Sequence, residues 1–487
     1  MSKKSKNIKV LFATSEIAPH VKTGGLGDVS AALPEALTGI GVDLRVLIPG
    51  YSELSRLKSR PLATLGDIPG FPSAKLLETK LANGVPAIIV DCPTLYRRAG
   101  GPYQDSSGVD WPDNAIRFGL LSKVAAILGN DRSPIPWRPK IVHCNDWQTG
   151  LAPAYLHFIP GHNAQSVMTI HNLAYQGVFP PETVLPLGIP QHSFSIFGVE
   201  YYGNLSFLKA GLFYANRINT VSPTYAKEIQ SAPLGFGMQG LLASRGRYVS
   251  GILNGIDTRG WNPETDALIE QNYDAQRLEL KAVNKKALQQ ELELAVDAHI
   301  PFCGIVSRFT YQKGLDLLLE IVSDLIELPT QLVLLGTGER VQQEAFSTLA
   351  RTHPGKVAVV TQFSERLAHL IEAGADIFLM PSRYEPCGLN QMYSQRYGTL
   401  PVVHATGGLA DSVVDCTPVT LENKTASGFS FHHYNPTDFL ATVKRAILCY
   451  RDQKTWKALQ QNSMTKDFSW TASANQYVKL YNSLIKR

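Results

Sequence analysis

Short apolar, β-branched runs bounded by Gly, Pro or Asn recur along the whole chain, and amphipathic stretches fall between many of them. A run of about 4–8 apolar residues suits a strand covered on both faces, and the helical stretches between such runs supply crossovers, so the pattern predicts parallel sheets. In the first half the runs are Lys9 to Thr14, Asp43 to Pro49, Pro86 to Cys92, Ile141 to Asn145, Ser166 to Ile170 and Arg217 to Val221. The pattern restarts at Pro301 to Ser307 and continues through Gln331 to Leu335, Lys356 to Gln362, Asp376 to Met380 and Pro401 to His404. Helices such as Gly314 to Glu327 and Glu365 to Ala373 separate them. A polar segment from about Asn262 to His299 shows a helical pattern and no strand, which puts a domain boundary near Asn254 to Pro263. The reading is an α/β chain of two doubly wound domains, 1–256 and 257–465. The stretch 466–487 ends in a helix whose apolar face (Ala472, Ala474, Tyr477, Val478, Leu480, Tyr481, Leu484) is expected to return to the N-terminal domain.

Composition narrows the function classes. The chain has 487 residues, 44% hydrophobic and 18% charged, which is globular, and a single core stops growing near ~250–300 residues. Its 46 Lys and Arg against 41 Asp and Glu leave +5, too little for a general nucleic-acid binder, so any bound anion is small and local. The basic start MSKKSKN is followed by too short an apolar run for a secretory signal, and no run is long enough to cross a membrane. Cys92, Cys144, Cys303, Cys387, Cys416 and Cys449 are scattered singly, with no spacing that suggests zinc. Reduced thiols in a cytoplasm are expected.

Doubly wound sheets bind ligands at the carboxyl ends of their strands, so the loops after strands carry the candidate chemistry. After the first run comes Lys22-Thr23-Gly24-Gly25-Leu26-Gly27-Asp28 and then a helix. Glycines let backbone amides approach an anion, the helix start adds positive charge, and Lys22 can pair with a phosphate. The partial Gly25-x-Gly27 lacks the third glycine of a dinucleotide fingerprint at Ser30. Ser307-Arg308-Phe309-Thr310-Tyr311-Gln312-Lys313-Gly314 places two cations around one helix entrance, where they suit a diphosphate, and Gly336-Thr337-Gly338 is a further glycine turn. Pro381 to Asn390 carries Glu385 between Pro and Gly residues ahead of a helix, where it suits either sugar hydroxyls or a helix cap. In the first half, Asp146 and the pair His171 and Asn172 follow strands and have aromatics nearby, which suits a sugar site. His143 is read as structural and Cys387 as a packing residue.

The motifs KTGGLGDV, HCNDWQTGLAP, HNLAYQG, TVSPTYAKEI, GILNGID, SRFTYQKGLDLL and SRYEPCGLNQMYSQRYGTLPVV occur in that order from Lys22 to Val403. They resemble the bacterial glycogen synthase and plant starch synthase family across nearly the whole chain. The resemblance implies two Rossmann-like domains facing across a deep cleft, the GT-B architecture. It also implies retaining transfer of glucose from ADP-glucose to the non-reducing end of an α-1,4-glucan, with no metal or other cofactor. Carried over by position, it gives Lys22, Gly24, Gly25 and Asp28 the donor phosphate region and Arg308 and Lys313 the departing diphosphate. Glu385 would hold donor glucose hydroxyls, Cys387, Gly388, Leu389 and Asn390 would present phosphate-binding amides, and Asp146, His171, Asn172 and Asn254 would shape the sugar and acceptor side. Asn390 stands where the family usually has Thr, and Phe363 replaces a frequent Tyr that stacks on the base, which bears on nucleotide preference. An ion-pair route and a covalent route through Glu385 or Asp146 both remain open at this point, as do another acceptor and a catalytically silent glucan binder.

Overall fold

The computed structural model describes residues 8–66 and 68–485. It divides into two compact units, one running to Gly255 and resuming at Trp470, the other spanning Ile256–Ser469. The strands of the first unit are β1 (Lys9–Ala13), β2 (Asp43–Pro49), β3 (Arg60–Leu65), β4 (Ala74–Lys80), β5 (Pro86–Asp91), β6 (Ile141–Asn145), β7 (Gln165–Ile170), β8 (Val178–Phe179), β9 (Glu200–Tyr201), β10 (Asn204–Ser206), β11 (Arg217–Thr220) and β12 (Val249–Gly251). Nine of them form one sheet in the order β12-β11-β7-β6-β1-β2-β5-β4-β3. It is parallel from β12 to β5, as the apolar runs require, and closes with the antiparallel pairs β5/β4 and β4/β3.

That antiparallel edge is absent from the sequence expectation, and its residues explain why. Lys75, Glu78 and Lys80 interrupt the apolar positions of β4, and β3 is largely exposed, with Pro61 beside a register shift. A half-solvated edge needs only alternation, and Pro and charges there block further strand pairing. The same unit holds a small antiparallel sheet, β8-β10-β9.

The second unit has β13 (Phe302–Val306), β14 (Gln331–Leu335), β15 (Val357–Val360), β16 (Ile377–Met380), β17 (Leu400–His404) and β18 (Phe429–Phe431). They pair in parallel in the order β15-β14-β13-β16-β17-β18, the doubly wound order of a dinucleotide-type fold. The polar segment ahead of β13 contains the helix Lys281–Glu291 and no strand.

The final helix, Trp470–Ile485, packs into the core of the first unit through Ala474, Tyr477, Tyr481 and Leu484. Two of its tyrosines hydrogen bond to sheet residues: Tyr481 with His143 Nδ1 at 2.8 Å, and Tyr477 with Asn219 Nδ2 at 3.1 Å. The other ring nitrogen of His143 bonds Thr169 at 2.7 Å, and burial lowers its pKa to about 3. His143 is therefore a neutral core histidine holding a helix to a sheet. No helix among the described residues is long and apolar enough to cross a membrane.

Candidate active site

In the second unit the strand order reverses between β13 and β16, so the loops leaving those two strands diverge and leave a crevice at their carboxyl ends. Both loops carry candidate residues. After β13, Arg308 is exposed and its guanidinium has no hydrogen bond or ion pair among the described residues. Lys313 closes a short turn, Tyr311–Lys313, and its Nζ lies 2.5 Å from Glu385 Oε2 on the loop after β16. Glu385 is only 5% exposed, and Ser382 Oγ donates to the same carboxylate oxygen at 3.1 Å. The carboxylate therefore faces a lysine across the crevice and does not cap a helix. Arg383, the third cation of the region, grips Asp316 with both arms of its guanidinium and rests 4.0 Å over the ring of Tyr311. It braces the two loops.

Glycines set how closely these loops approach. Gly314 has φ +65°, and a Cβ there would lie 2.0 Å from the Pro381 carbonyl oxygen. Gly407 and Gly408, which open the short helix Gly407–Ser412 after β17, would place Cβ atoms 2.0 Å from the carbonyl oxygens of Glu385 and Cys387, and the Gly408 amide donates to Glu385 O at 3.0 Å. Gly336 and Gly338 press on Ser307 and Phe309 in the same way. That second glycine turn is thus a backbone support for the Arg308 loop. Leu389 precedes the helix Asn390–Arg396, and the side-chain Nδ2 of Asn390 donates to Val306 O at 2.6 Å, tying the helix start to the end of β13. Cys387 is buried, Gly388 takes φ +68°, and Phe363, beyond β15, is 84% exposed.

In the first unit the loop after β1 leads to the helix Gly25–Gly39. Side chains at Gly24 and Gly25 would meet nothing within 4 Å, so the backbone there is open to a ligand. Lys22 Nζ pairs with Asp28 at 2.8 Å, both half-exposed. Glu16, buried at the base of this loop, accepts from the Thr23 amide at 2.7 Å, the Gly24 amide at 3.3 Å, the Thr23 hydroxyl at 2.6 Å and the Tyr103 hydroxyl at 2.5 Å. A protein carboxylate thus already occupies two of the loop amides. The Gly25 amide is not among them.

At the end of β6, Asp146 takes φ +54° and ψ −177°, a conformation rarely held by a residue with a Cβ and one that collects at functional sites. Its carboxylate accepts the His171 amide at 2.7 Å and the Asn172 amide. Burial raises its pKa to about 7 against the pull of these bonds. Asn145 Nδ2 donates to Ala13 O at 3.0 Å, which leaves Oδ1 to accept from His171 Nε2 at 3.0 Å. His171 is then protonated on Nε2 with Nδ1 an acceptor, and burial lowers its pKa to about 4, so the ring is neutral at pH 7. Asn254, after β12, is buried with Oδ1 unbonded among the described residues, a cost that a ligand would relieve.

Comparisons with known proteins bear on this arrangement. Residues 9–244 match the model of the starch synthase catalytic domain, and residues 293–463 match that of glycosyl transferases group 1. The chain is 58% identical to a glycogen synthase of Nitrosospira multiformis, over 99% of this chain and 98% of that protein. It is 55% identical to a glycogen synthase of Nitrosomonas eutropha, over 99% and 97% respectively. This chain belongs to the glycogen and starch synthase family of glycosyltransferases. Among solved structures it resembles the catalytic domain of starch synthase IV from Arabidopsis thaliana bound to ADP and acarbose, with TM-score 0.85, 31% identity and 99% of each chain covered. A sucrose-phosphate synthase from Thermosynechococcus elongatus, 18% identical with TM-score 0.58 over 98% of this chain and 99% of that one, shares the fold. The architecture is GT-B.

For this glycosyltransferase, sequence reasoning passed over Glu16, Tyr103, Asn145, Gly407 and Gly408. Asn145 stood beside Asp146 at the end of an apolar run, which is a readable position. Glu16 and Tyr103 meet only in the fold. A cavity of about 580 Å³ in the first unit lies elsewhere, at the amino ends of β7 and β11, lined by Phe158, His192, Tyr214, Arg217 and Tyr248 among others, and contains none of the candidate residues. Among the described residues no three His, Cys, Asp or Glu side chains cluster as a metal site would require.

Proposed function

We propose that this family member is a glycogen synthase that transfers glucose, with retention, from ADP-glucose to the non-reducing end of an α-1,4-glucan in the cytoplasm. The observation that carries the reading is the Lys313–Glu385 pair at the strand-order reversal of the second sheet, beside an unpartnered Arg308. Breaking the anomeric C–O bond leaves negative charge on the diphosphate and positive charge on the sugar. Donor binding transfers Lys313 from Glu385 to the phosphates and turns the carboxylate toward glucose hydroxyls. Arg308 supplies the second cation, and the amides of residues 387–390 add donors at a helix start. Lys22, Gly24, Gly25 and Asp28 serve the donor phosphate region, and Phe363 the base. Neutral His171, with Asn172 and Asn254, holds sugar hydroxyls. With these two cations to neutralise the leaving group, the proposed route uses no metal.

The test incubates purified protein with glycogen and either ADP-glucose or UDP-glucose labelled in the sugar, in the presence of EDTA. Label should pass from ADP-glucose into glucan, faster than from UDP-glucose, with release of ADP. Release of free labelled glucose, or no turnover of either donor, would contradict the assignment.

A further inference from the structure

Loops leave the second sheet at the carboxyl ends of β13, β16 and β18, and one side chain joins all three. Arg383, on the loop after β16, lies between the rings of Tyr311 and Tyr434, its guanidinium carbon 4.0 Å from the centre of the first and 5.0 Å from that of the second. Tyr311 belongs to the loop after β13 and Tyr434 to the loop after β18. Arg383 Nη1 donates to Tyr311 O at 2.9 Å and to Asp316 Oδ1 at 2.7 Å, and Nη2 donates to Asp316 Oδ2. The backbone repeats the join: the Arg383 amide donates to Gln312 O at 2.9 Å, and Gln312 Nε2 donates to Tyr384 O at 3.3 Å. Residues 311–316 and 383–384 are thereby stitched together.

Lys313 follows Gln312 and Glu385 follows Tyr384, so the register of the stitched segments sets where Lys313 Nζ stands against Glu385 Oε2. Arg383 itself bonds neither group among the described residues. Asp316 stands in the first turn of the helix Leu315–Glu327 with 42% of its side chain exposed, and its bonds to Arg383 hold its carboxyl below the usual carboxylate range. An ion pair this exposed adds little to stability. What it supplies is geometry, because a bidentate fork fixes the orientation of the guanidinium as well as its position.

We infer that Arg383 is a positioning residue for the transfer reaction and that Asp316, on the outer helix, acts through it. The pair holds the turn that carries Lys313 in register with the loop that carries Glu385, so that ammonium and carboxylate meet the donor at a fixed separation. A lysine in place of Arg383 cannot do the same, since one ammonium on a flexible stem does not fork onto Asp316, reach Tyr311 O and fill the space between two rings. The inference rests on the reading that Lys313 and Glu385 act on a nucleotide-sugar donor.

The test measures kcat and the KM for glycogen at saturating ADP-glucose in the full chain and in Arg383→Ala, Arg383→Lys, Asp316→Ala and the double variant Arg383→Ala/Asp316→Ala, with melting curves to confirm folding. A misplacement of about 1 Å can cost about 10²-fold, so kcat should fall about 10²-fold in Arg383→Ala and about tenfold or more in Asp316→Ala, with the KM for glycogen within about twofold of wild type. Arg383→Lys should resemble Arg383→Ala. The double variant should fall no further than Arg383→Ala alone, because both changes break one linkage. Asp316 is half-exposed, so its variant keeps the test open should Arg383→Ala not fold. Near-normal kcat in Asp316→Ala or Arg383→Lys, losses that add in the double variant, or a raised KM for glycogen at unchanged kcat would overturn the inference while leaving the proposed function standing. A wild-type protein that turns over no ADP-glucose would overturn both.

Discussion

Asp146 is the residue whose environment says most about chemistry. It sits in a strained backbone conformation, buried, with a pKa raised to about 7, and its ionised form accepts the amides that position His171 and Asn172. If the carboxylate is the working form, kcat/KM falls as pH drops below about 7, and His171, lowered to about 4, does not contribute to that limb. Profiles from about pH 5.5 to 8.5 should show the limb in wild type and lose it in Asp146→Asn, at a lower rate throughout. A flat wild-type profile, or the same limb in the variant, would argue against this role. Stability runs the other way: because folding raises this pKa from 3.8, its contribution is full below that value and lost as pH rises through about 7. Most such residues were visible in sequence, since Asp146, His171, Lys313 and Glu385 stand where strands end. Glu16 was not, because an isolated acid ahead of a glycine turn gives no sign that it will fold onto that turn's amides.

At the scale of elements, the site is an arrangement of loops held at contact distance by glycines. Gly408→Ala would drive a Cβ into the Cys387 carbonyl, 2.0 Å away, and move the loop that carries Glu385. A displacement of that order should lower kcat by roughly 10–100-fold. Gly240→Ala, on the helix Gln239–Ser244 with nothing within 4 Å of the new carbon, should leave activity unchanged. Steady-state kinetics on both folded variants checks this, and near-normal turnover in Gly408→Ala would contradict it. The parallel strands were legible because burial on both faces writes a continuous apolar run, as in β6, where all five residues are buried. The β3–β4 edge and the three-residue β18 were not, since the first mixes charges into its alternation and the second is shorter than any periodicity can mark. The glycine turn at Gly336 could not be assigned a role from sequence for a related reason: close backbone approach selects glycine whether the neighbour is a ligand or, as here, another strand's loop.

Over the whole molecule, the parallel strands of the two large sheets place the candidate residues after their carboxyl ends: β1, β6, β7 and β12 in the first unit, β13, β15 and β16 in the second. The net charge of +5 is small, so the cations that matter are individual and positioned. In the proposed mechanism Arg308 and Lys313 stabilise the departing diphosphate. Removing one such donor of transition-state charge should cost about 2.7–4 kcal/mol, or about 10²–10³ in turnover. Arg308 has no partner among the described residues, so its loss should not unfold the protein. The decisive measurement is kcat of purified, folded Arg308→Ala at saturating ADP-glucose and glycogen: a fall of about 10²–10³ with an unchanged melting temperature is expected, and turnover close to wild type would contradict the account.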